Sequence, residues 1–229
     1  MDIHGLQKMS LLDYPNKVSC TVFFGGCDFR CPFCHNGELV EGTYPPQLDD
    51  RELLAFLGKR RGLLDGVCIS GGEPLLRSDL KELLLPIREM GFSVKLDTNG
   101  THPARLRELV EAGLVDYVAM DIKNSPERYA ETAGVPGLDL APIRESVSFL
   151  LEGTVDYEFR TTVVREFHDG DSFRAIGPWI AGAKHYFLQS FVDRDTVLMG
   201  GLHPCSEEEL RAFADLVRPW VPTVTVRGV

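Results

Sequence analysis

Three cysteines fall within eight residues of this chain, Cys27-Asp28-Phe29-Arg30-Cys31-Pro32-Phe33-Cys34, a C-x3-C-x2-C spacing. Three thiolates on one loop can bind three irons of a cubane [4Fe-4S] cluster. The fourth iron then lacks a protein ligand, where a ferredoxin supplies a fourth cysteine. An open coordination position marks a catalytic metal site, not a structural one. A zinc knuckle and a redox dithiol are the alternatives. Zinc asks for four tetrahedral ligands, and His35 directly after Cys34 is poorly spaced for that geometry. Cys68 or Cys205 could complete such a site, but no second C-x2-C pair exists. Cys20, Cys68 and Cys205 read instead as buried small hydrophobes.

Further along the chain, Gly71-Gly72-Glu73-Pro74 has its own chemistry. Glycines let a backbone approach a ligand closely and expose carbonyls that an ammonium group needs. Glu73 can hold the loop or add charge. A plain strand-to-helix turn is the other reading of this segment. Asp97 and Asp121 each end a short apolar run. Two such carboxylates could hold a hard cation through oxygen, or pair with a lysine such as Lys123. Arg160 sits in Tyr157-Glu158-Phe159-Arg160-Thr161-Thr162, where alternation puts Glu158, Arg160 and Thr162 on one face. Arg160 there either reaches a ligand or joins an ion network with Glu158. The histidines, His168 and His203 among them, lack metal-ligand spacing and read as loop surface residues.

The elements that must position these groups alternate. Strands are expected at Val18–Phe24, Gly66–Ser70, Ser93–Leu96, Tyr117–Met120, Asp156–Val164 and His185–Gln189. Helices are expected at Asp49–Gly62, Ser78–Met90, Pro103–Ala112, Ala141–Leu151, Ser172–Ala181 and Ser206–Val217. The helices carry the apolar period, as in Leu80, Leu83, Leu84 and Ile87. Asp49 or Asp50, Ser78, and Ser206 with Glu209 supply start signals, and Gly62, Gly91 and Gly113 supply stops. Repeated strand–helix units imply parallel pairing with right-handed crossovers. Polar motifs follow nearly every strand, which favours a partial (β/α)6 TIM-like barrel with its active face at the strand C-termini. An open doubly wound sheet would gather its ligand at one switch point. Glu38–Leu48 and Lys123–Leu138 are longer connections that could act as flaps. One domain over 1–229 is expected, with an N-terminal extension over 1–17 and a C-terminal tail over 218–229.

The whole chain is 229 residues, 44% hydrophobic and 25% charged, an ordinary globular composition. A chain this long buries roughly 70–75% of its unfolded surface. No apolar run approaches a membrane span and no secretory signal is visible at the start. The net charge of −10 argues against general nucleic-acid binding. A cytoplasmic protein with no nucleic-acid or membrane partner is the expectation.

The cysteine spacing after a first strand, followed by Gly-Gly-Glu-Pro after a second, resembles the radical S-adenosylmethionine superfamily. The resemblance implies an α/β partial barrel of the radical SAM type. It also implies a [4Fe-4S] cluster on Cys27, Cys31 and Cys34 whose open iron is chelated by S-adenosylmethionine. Reductive cleavage of that cofactor gives a 5′-deoxyadenosyl radical that abstracts hydrogen. Gly71, Gly72 and Glu73 would take the cofactor's amino group, and Phe33 would pack on its adenine unless it only fills the core. Cys34-His35-Asn36, Asp97-Thr98-Asn99-Gly100 and Met120-Asp121-Ile122-Lys123 resemble glycyl-radical-enzyme activating enzymes. Ser10-Leu11-Leu12-Asp13-Tyr14-Pro15 is most similar to the longer activating proteins of anaerobic ribonucleoside-triphosphate reductase, with pyruvate formate-lyase activating enzyme next. The resemblance implies cofactor contacts from Asp97, Asn99, Lys123 and Arg160. It assigns a monovalent cation to Asp97, Thr98 and Asp121, with backbone help at Ala119. A glycyl radical enzyme is the implied protein substrate, and a flavodoxin- or ferredoxin-type protein the electron donor. The alternatives are a radical enzyme acting on a small molecule, and a cluster- or zinc-binding regulatory module.

Overall fold

The computed structural model describes residues 2–229. The chain forms two compact units: one takes in the chain up to Asp28, Glu38–Ala119 and Thr154–Asp156, the other Phe29–Gly37, Met120–Gly153 and Tyr157–Val229.

The first unit opens with β1 (Asp2–Ile3), β2 (Gly5–Ser10) and β3 (Ser19–Phe24). Helix α1 (Gly37–Glu41), β4 (Leu48–Asp49), α2 (Asp50–Gly58), β5 (Gly66–Gly71), α3 (Leu80–Glu89), β6 (Ser93–Thr98) and α4 (Pro103–Glu111) follow. Strand β7 (Tyr117–Asp121) starts in this unit and ends in the second. β2 pairs antiparallel with β3, while β3–β5 and β5–β6 are parallel. β1 and β4 make a separate antiparallel pair. Val22, Val67, Ile69, Val94 and Leu96 are fully buried, as are Cys20 and Cys68 on the same strands. Burial on both faces is why these strands read as unbroken apolar runs. The register sets Phe24 beside Gly71, so the loops after β3 and β5 leave the sheet at one edge.

In the second unit α5 (Tyr129–Ala133), α6 (Ala141–Leu151), β8 (Asp156–Val163), α7 (Gly170–Trp179), β9 (His185–Ser190), α8 (Glu207–Val217) and β10 (Thr223–Arg227) follow in order. β8–β9 and β9–β10 are parallel. The helices bury the stripe their sequence dictates. In α3 it is Leu80, Leu83, Leu84 and Ile87, each worth roughly 1.5–3 kcal/mol when fully buried.

Each expected strand and helix is present, Ala141–Leu151 with the expected bounds and the others with a shifted end. Capping boxes at Asp49–Glu52 and Ser206–Glu209 start α2 and α8. α3 is capped at Asp79, not Ser78, and without a side-chain cap bond, because the Asp79 carboxylate holds Arg77 Nε at 2.7 Å. Gly91 and Gly113 are left-handed just past their helices. Gly62 is left-handed too, but it lies in the turn after α2, which ends at Gly58. The expected extension contains β1 and β2, and the expected tail contains β10. The two long connections hold α1 and α5. No helix among the described residues is long and apolar enough to cross a membrane.

Candidate functional site

In the first unit the ends of β5 and β6 are tied together by one buried carboxylate. Glu73 is 1% exposed. Its Oε1 accepts from Leu75 N at 3.0 Å and from the Thr98 hydroxyl at 2.9 Å, and its Oε2 accepts from Asn99 N at 2.7 Å. Burial pushes the carboxyl up to about 8, against the pull of those three donors. Both oxygens are spent on the protein, so Glu73 holds the loop.

The two glycines before it answer to backbone. Glu73 N donates to Gly26 O at 2.9 Å, and Gly72 N to Phe24 O at 2.9 Å. A Cβ on Gly71, where φ is +125°, would lie 2.3 Å from Phe24 N; one on Gly72 would lie 1.8 Å from Gly26 O. The glycines are therefore needed for the approach of the β3 loop, which carries Cys27. The sequence reading of a close ligand approach did not foresee this.

Around Cys27, Asn99 Nδ2 donates to Asp28 Oδ1 at 2.6 Å and lies 3.8 Å from the Cys27 sulfur. Asp28 Oδ2 in turn meets Thr101 Oγ1 at 2.5 Å and His102 Nε2 at 3.2 Å. Asp97 takes the Lys95 ammonium on Oδ1 and the Ser70 hydroxyl on Oδ2 at 3.0 Å.

In the second unit Cys34 N donates to Cys31 O at 3.0 Å, closing the tight end of the cysteine loop. Arg30 N donates to Ala133 O and Met199 N to Pro32 O, both at 2.9 Å, so the loop is pinned from outside as well. Cys31 is buried, and burial pushes its thiol up to about 11 while Lys123 pulls it down. Lys123 Nζ lies 2.8 Å from Asp121 Oδ2 and Arg160 Nε 2.5 Å from Asp121 Oδ1. Burial alone would raise Asp121; the Arg160 and Lys123 charges outweigh it and hold the carboxyl well below its ordinary range.

Two expectations need correction here. Lys123 pairs with Asp121, but Asp97 goes to Lys95. Glu158 takes the Arg227 guanidinium at 3.1 Å, and Arg160 takes Asp121. His168 is not a surface residue. It is 4% exposed, and burial holds it neutral by lowering its pKa. Its Nε2 donates to Lys123 O at 2.8 Å, which leaves Nδ1 to accept from Val164 N at 3.1 Å. Phe33 is buried against Phe167 and His168, with centroids 5.9 and 6.4 Å away. Sequence reasoning missed Asp28, Thr101, His168 and Lys95. Only Lys95 left a signal: it stands two residues before Asp97 on a strand, and so on the same face. Cys20, Cys68 and Cys205 are buried, as expected.

Residues 21–171 match the family model of the Radical SAM superfamily. The Methanocaldococcus jannaschii protein MJ1227, provisionally named a glycyl-radical enzyme activating enzyme, is 31% identical over 242 residues, covering 99% of this chain and 96% of that one. The pyruvate formate-lyase-activating enzyme of Clostridium pasteurianum is 34% identical over 127 residues, 53% of this chain and 52% of its own. A radical SAM methyltransferase from Sphaerobacter thermophilus superposes with a TM-score of 0.72 at 16% identity, over 94% of this chain and 68% of that one. The expected α/β fold of the radical SAM type is the fold observed.

Proposed function

The chain belongs to the radical SAM superfamily, and from that premise we propose that it is a glycyl-radical-enzyme activating enzyme whose partner is an anaerobic ribonucleoside-triphosphate reductase. The observation that carries the activase reading is the similarity to MJ1227 along nearly the whole of both chains.

The residues fit the cofactors this superfamily implies. Cys27, Cys31 and Cys34 bring three thiols onto one loop pinned by backbone bonds at Gly26, Arg30 and Pro32. Soft thiolate donors are what an iron–sulfur cluster requires. These three cysteines would hold a [4Fe-4S] cluster with one iron left for S-adenosylmethionine. When bound, the pair supplies reductive cleavage of the cofactor and removal of a hydrogen atom from a glycine of the partner. The Asn99 amide donates toward the Cys27 sulfur and so favours its thiolate. Lys123 does the same for Cys31 through its charge. Asp121 faces two cations, Lys123 and Arg160, so that group keeps positive charge for the cofactor's carboxylate. Carbonyls of the Gly71–Gly72 turn would accept from its amino group, and Phe33 would stand under its adenine. His168 orients Lys123 through the backbone carbonyl it binds. Closure by the partner's glycine loop would exclude water from the reacting centre.

The choice of reductase rests on the resemblance of Ser10–Pro15. Pyruvate formate-lyase is the second reading, favoured by the Clostridium pasteurianum relative. A flavodoxin- or ferredoxin-type donor in a reducing cytoplasm would deliver the electron. The test is anaerobic reconstitution with dithionite and S-adenosylmethionine, offering each partner from the same source. A glycyl doublet in electron paramagnetic resonance on the reductase alone is the expected result. A doublet on the formate-lyase alone overturns the reductase assignment. 5′-Deoxyadenosine with no doublet on either protein overturns the activase reading in favour of a small-molecule substrate.

A further inference from the structure

The monovalent cation that the resemblance assigns to Asp97, Thr98 and Asp121 does not fit the side chains present. Lys95 and Asp97 are two residues apart on β6 and so share a face. Lys95 is 2% exposed. Its ammonium is seated on Asp97 Oδ1, and Oδ2 accepts from the Ser70 hydroxyl at 3.0 Å. Both oxygens that would ligate a cation already have protein donors. A lysine buried this deeply keeps its charge only against a carboxylate, so the two groups hold each other in place. The Thr98 hydroxyl is engaged as well, donating to Glu73 at 2.9 Å and accepting from Gly100 N at 3.1 Å. Asp121 has its own two cations, Lys123 at 2.8 Å and Arg160 at 2.5 Å.

An ammonium carries the same single charge as sodium or potassium on three hydrogen-bond donors, and here the chain itself tethers it. We propose that Lys95 is a built-in replacement for the monovalent cation, and that this protein binds S-adenosylmethionine without need of sodium or potassium. Lys95 acts through Asp97 and is a positioning residue. The inference rests on the proposed binding of S-adenosylmethionine beside a cluster.

The experiment is anaerobic equilibrium dialysis of S-adenosylmethionine against the cluster-reconstituted protein. It is run in potassium chloride, sodium chloride and choline chloride at one ionic strength. The wild-type dissociation constant is expected to agree across the three salts within about threefold. Tightening by potassium or sodium beyond that overturns the proposal. Lys95→Met leaves Asp97 uncompensated and is expected to acquire a dependence of about tenfold or more on potassium or sodium. A folded Lys95→Met protein with the same affinity in all three salts removes the role given to Lys95. The wild-type salt series decides the matter alone if that variant does not fold. Absence of cofactor binding in every salt would overturn the cofactor site itself, which separates its failure from failure of the cation replacement.

Discussion

Gly72→Ala tests whether the glycine pair holds the cysteine loop. The added Cβ would sit 1.8 Å from Gly26 O and 2.6 Å from Gly26 C, where real contacts stop near 3.0 Å. The chain must therefore move by more than an ångström, and the neighbour is backbone, not the tip of a flexible side chain. Gly26 cannot yield freely: its carbonyl accepts from Glu73 N at 2.9 Å and its N–H donates to Leu39 O at 2.9 Å. Forced overpacking of this kind costs about 1–3 kcal/mol. At about 2–4 °C per kcal/mol for a chain of this size, the unfolding midpoint should fall by about 2–12 °C. Cys27 follows Gly26 directly and its Cβ lies 3.3 Å from the new methyl, so the thiol shifts with the loop. The assay pairs thermal unfolding with iron and sulfide content after anaerobic reconstitution. Gly58→Ala is the control: nothing lies within 4 Å of its Cβ position, and alanine there in α2 should leave stability equal or slightly higher. A Gly72→Ala protein with the wild-type midpoint and full iron would refute the reasoning.

Alanine at Cys27, Cys31 or Cys34 should abolish stoichiometric iron in reconstituted protein. Alanine at Cys20, Cys68 or Cys205 should keep the iron and cost roughly 1 kcal/mol or more of packing, read from denaturant midpoints. Glu73 is raised from its ordinary 4.5 to about 8, so the native state binds more protons than the unfolded one between those values. Stability should thus fall as pH rises through that window, and Glu73→Gln should flatten the slope, measured by urea unfolding at successive pH values. Asp121 is depressed, so its contribution is present above its ordinary 3.8 and lost as pH falls below it. Asp121→Asn should remove that acid-side loss and cost about 1–3 kcal/mol at neutral pH, since Lys123 and Arg160 lose their anion.

The strands and helices were legible because the sheet buries both faces and the helices bury one stripe. Two periodicities then separate the element types, as Val67–Ile69 and Leu80–Ile87 show. β1 and β4 have two residues each, too short to leave a pattern, and β10 alternates exposed and buried positions over only five residues. The cysteine spacing is local in sequence, so its donor set could be read directly. The partners of Glu158 and His168 could not. Each is fixed by strand register or by a chain reversal many residues away: Arg227 meets Glu158 because β10 runs parallel to β9, which pairs with β8. The glycines illustrate the same limit. Their types announced a close approach, but only the register of β3 on β5 shows that a neighbouring backbone is what comes close.

Ser10–Pro15 sharpens the question of the partner. Ser10 Oγ accepts from Leu12 N and Asp13 N, both at 3.2 Å. Asp13 Oδ2 takes the Thr21 hydroxyl at 2.6 Å, which fastens the segment to β3. Tyr14 is buried beside Gly66, where a side chain would meet its ring at 3.0 Å. Three of the six residues that resemble the reductase-type activating proteins therefore hold the chain between β2 and β3. A motif explained by packing identifies a shared way of building that turn, and any chain folding it this way would keep those residues whatever protein it acts on. Leu11 and Leu12 have no such duty: they are 69% and 91% exposed. Partner preference has to come from residues of that kind, which the fold leaves uncommitted. Offering both candidate partners to the intact protein therefore tells more about its substrate than the motif does.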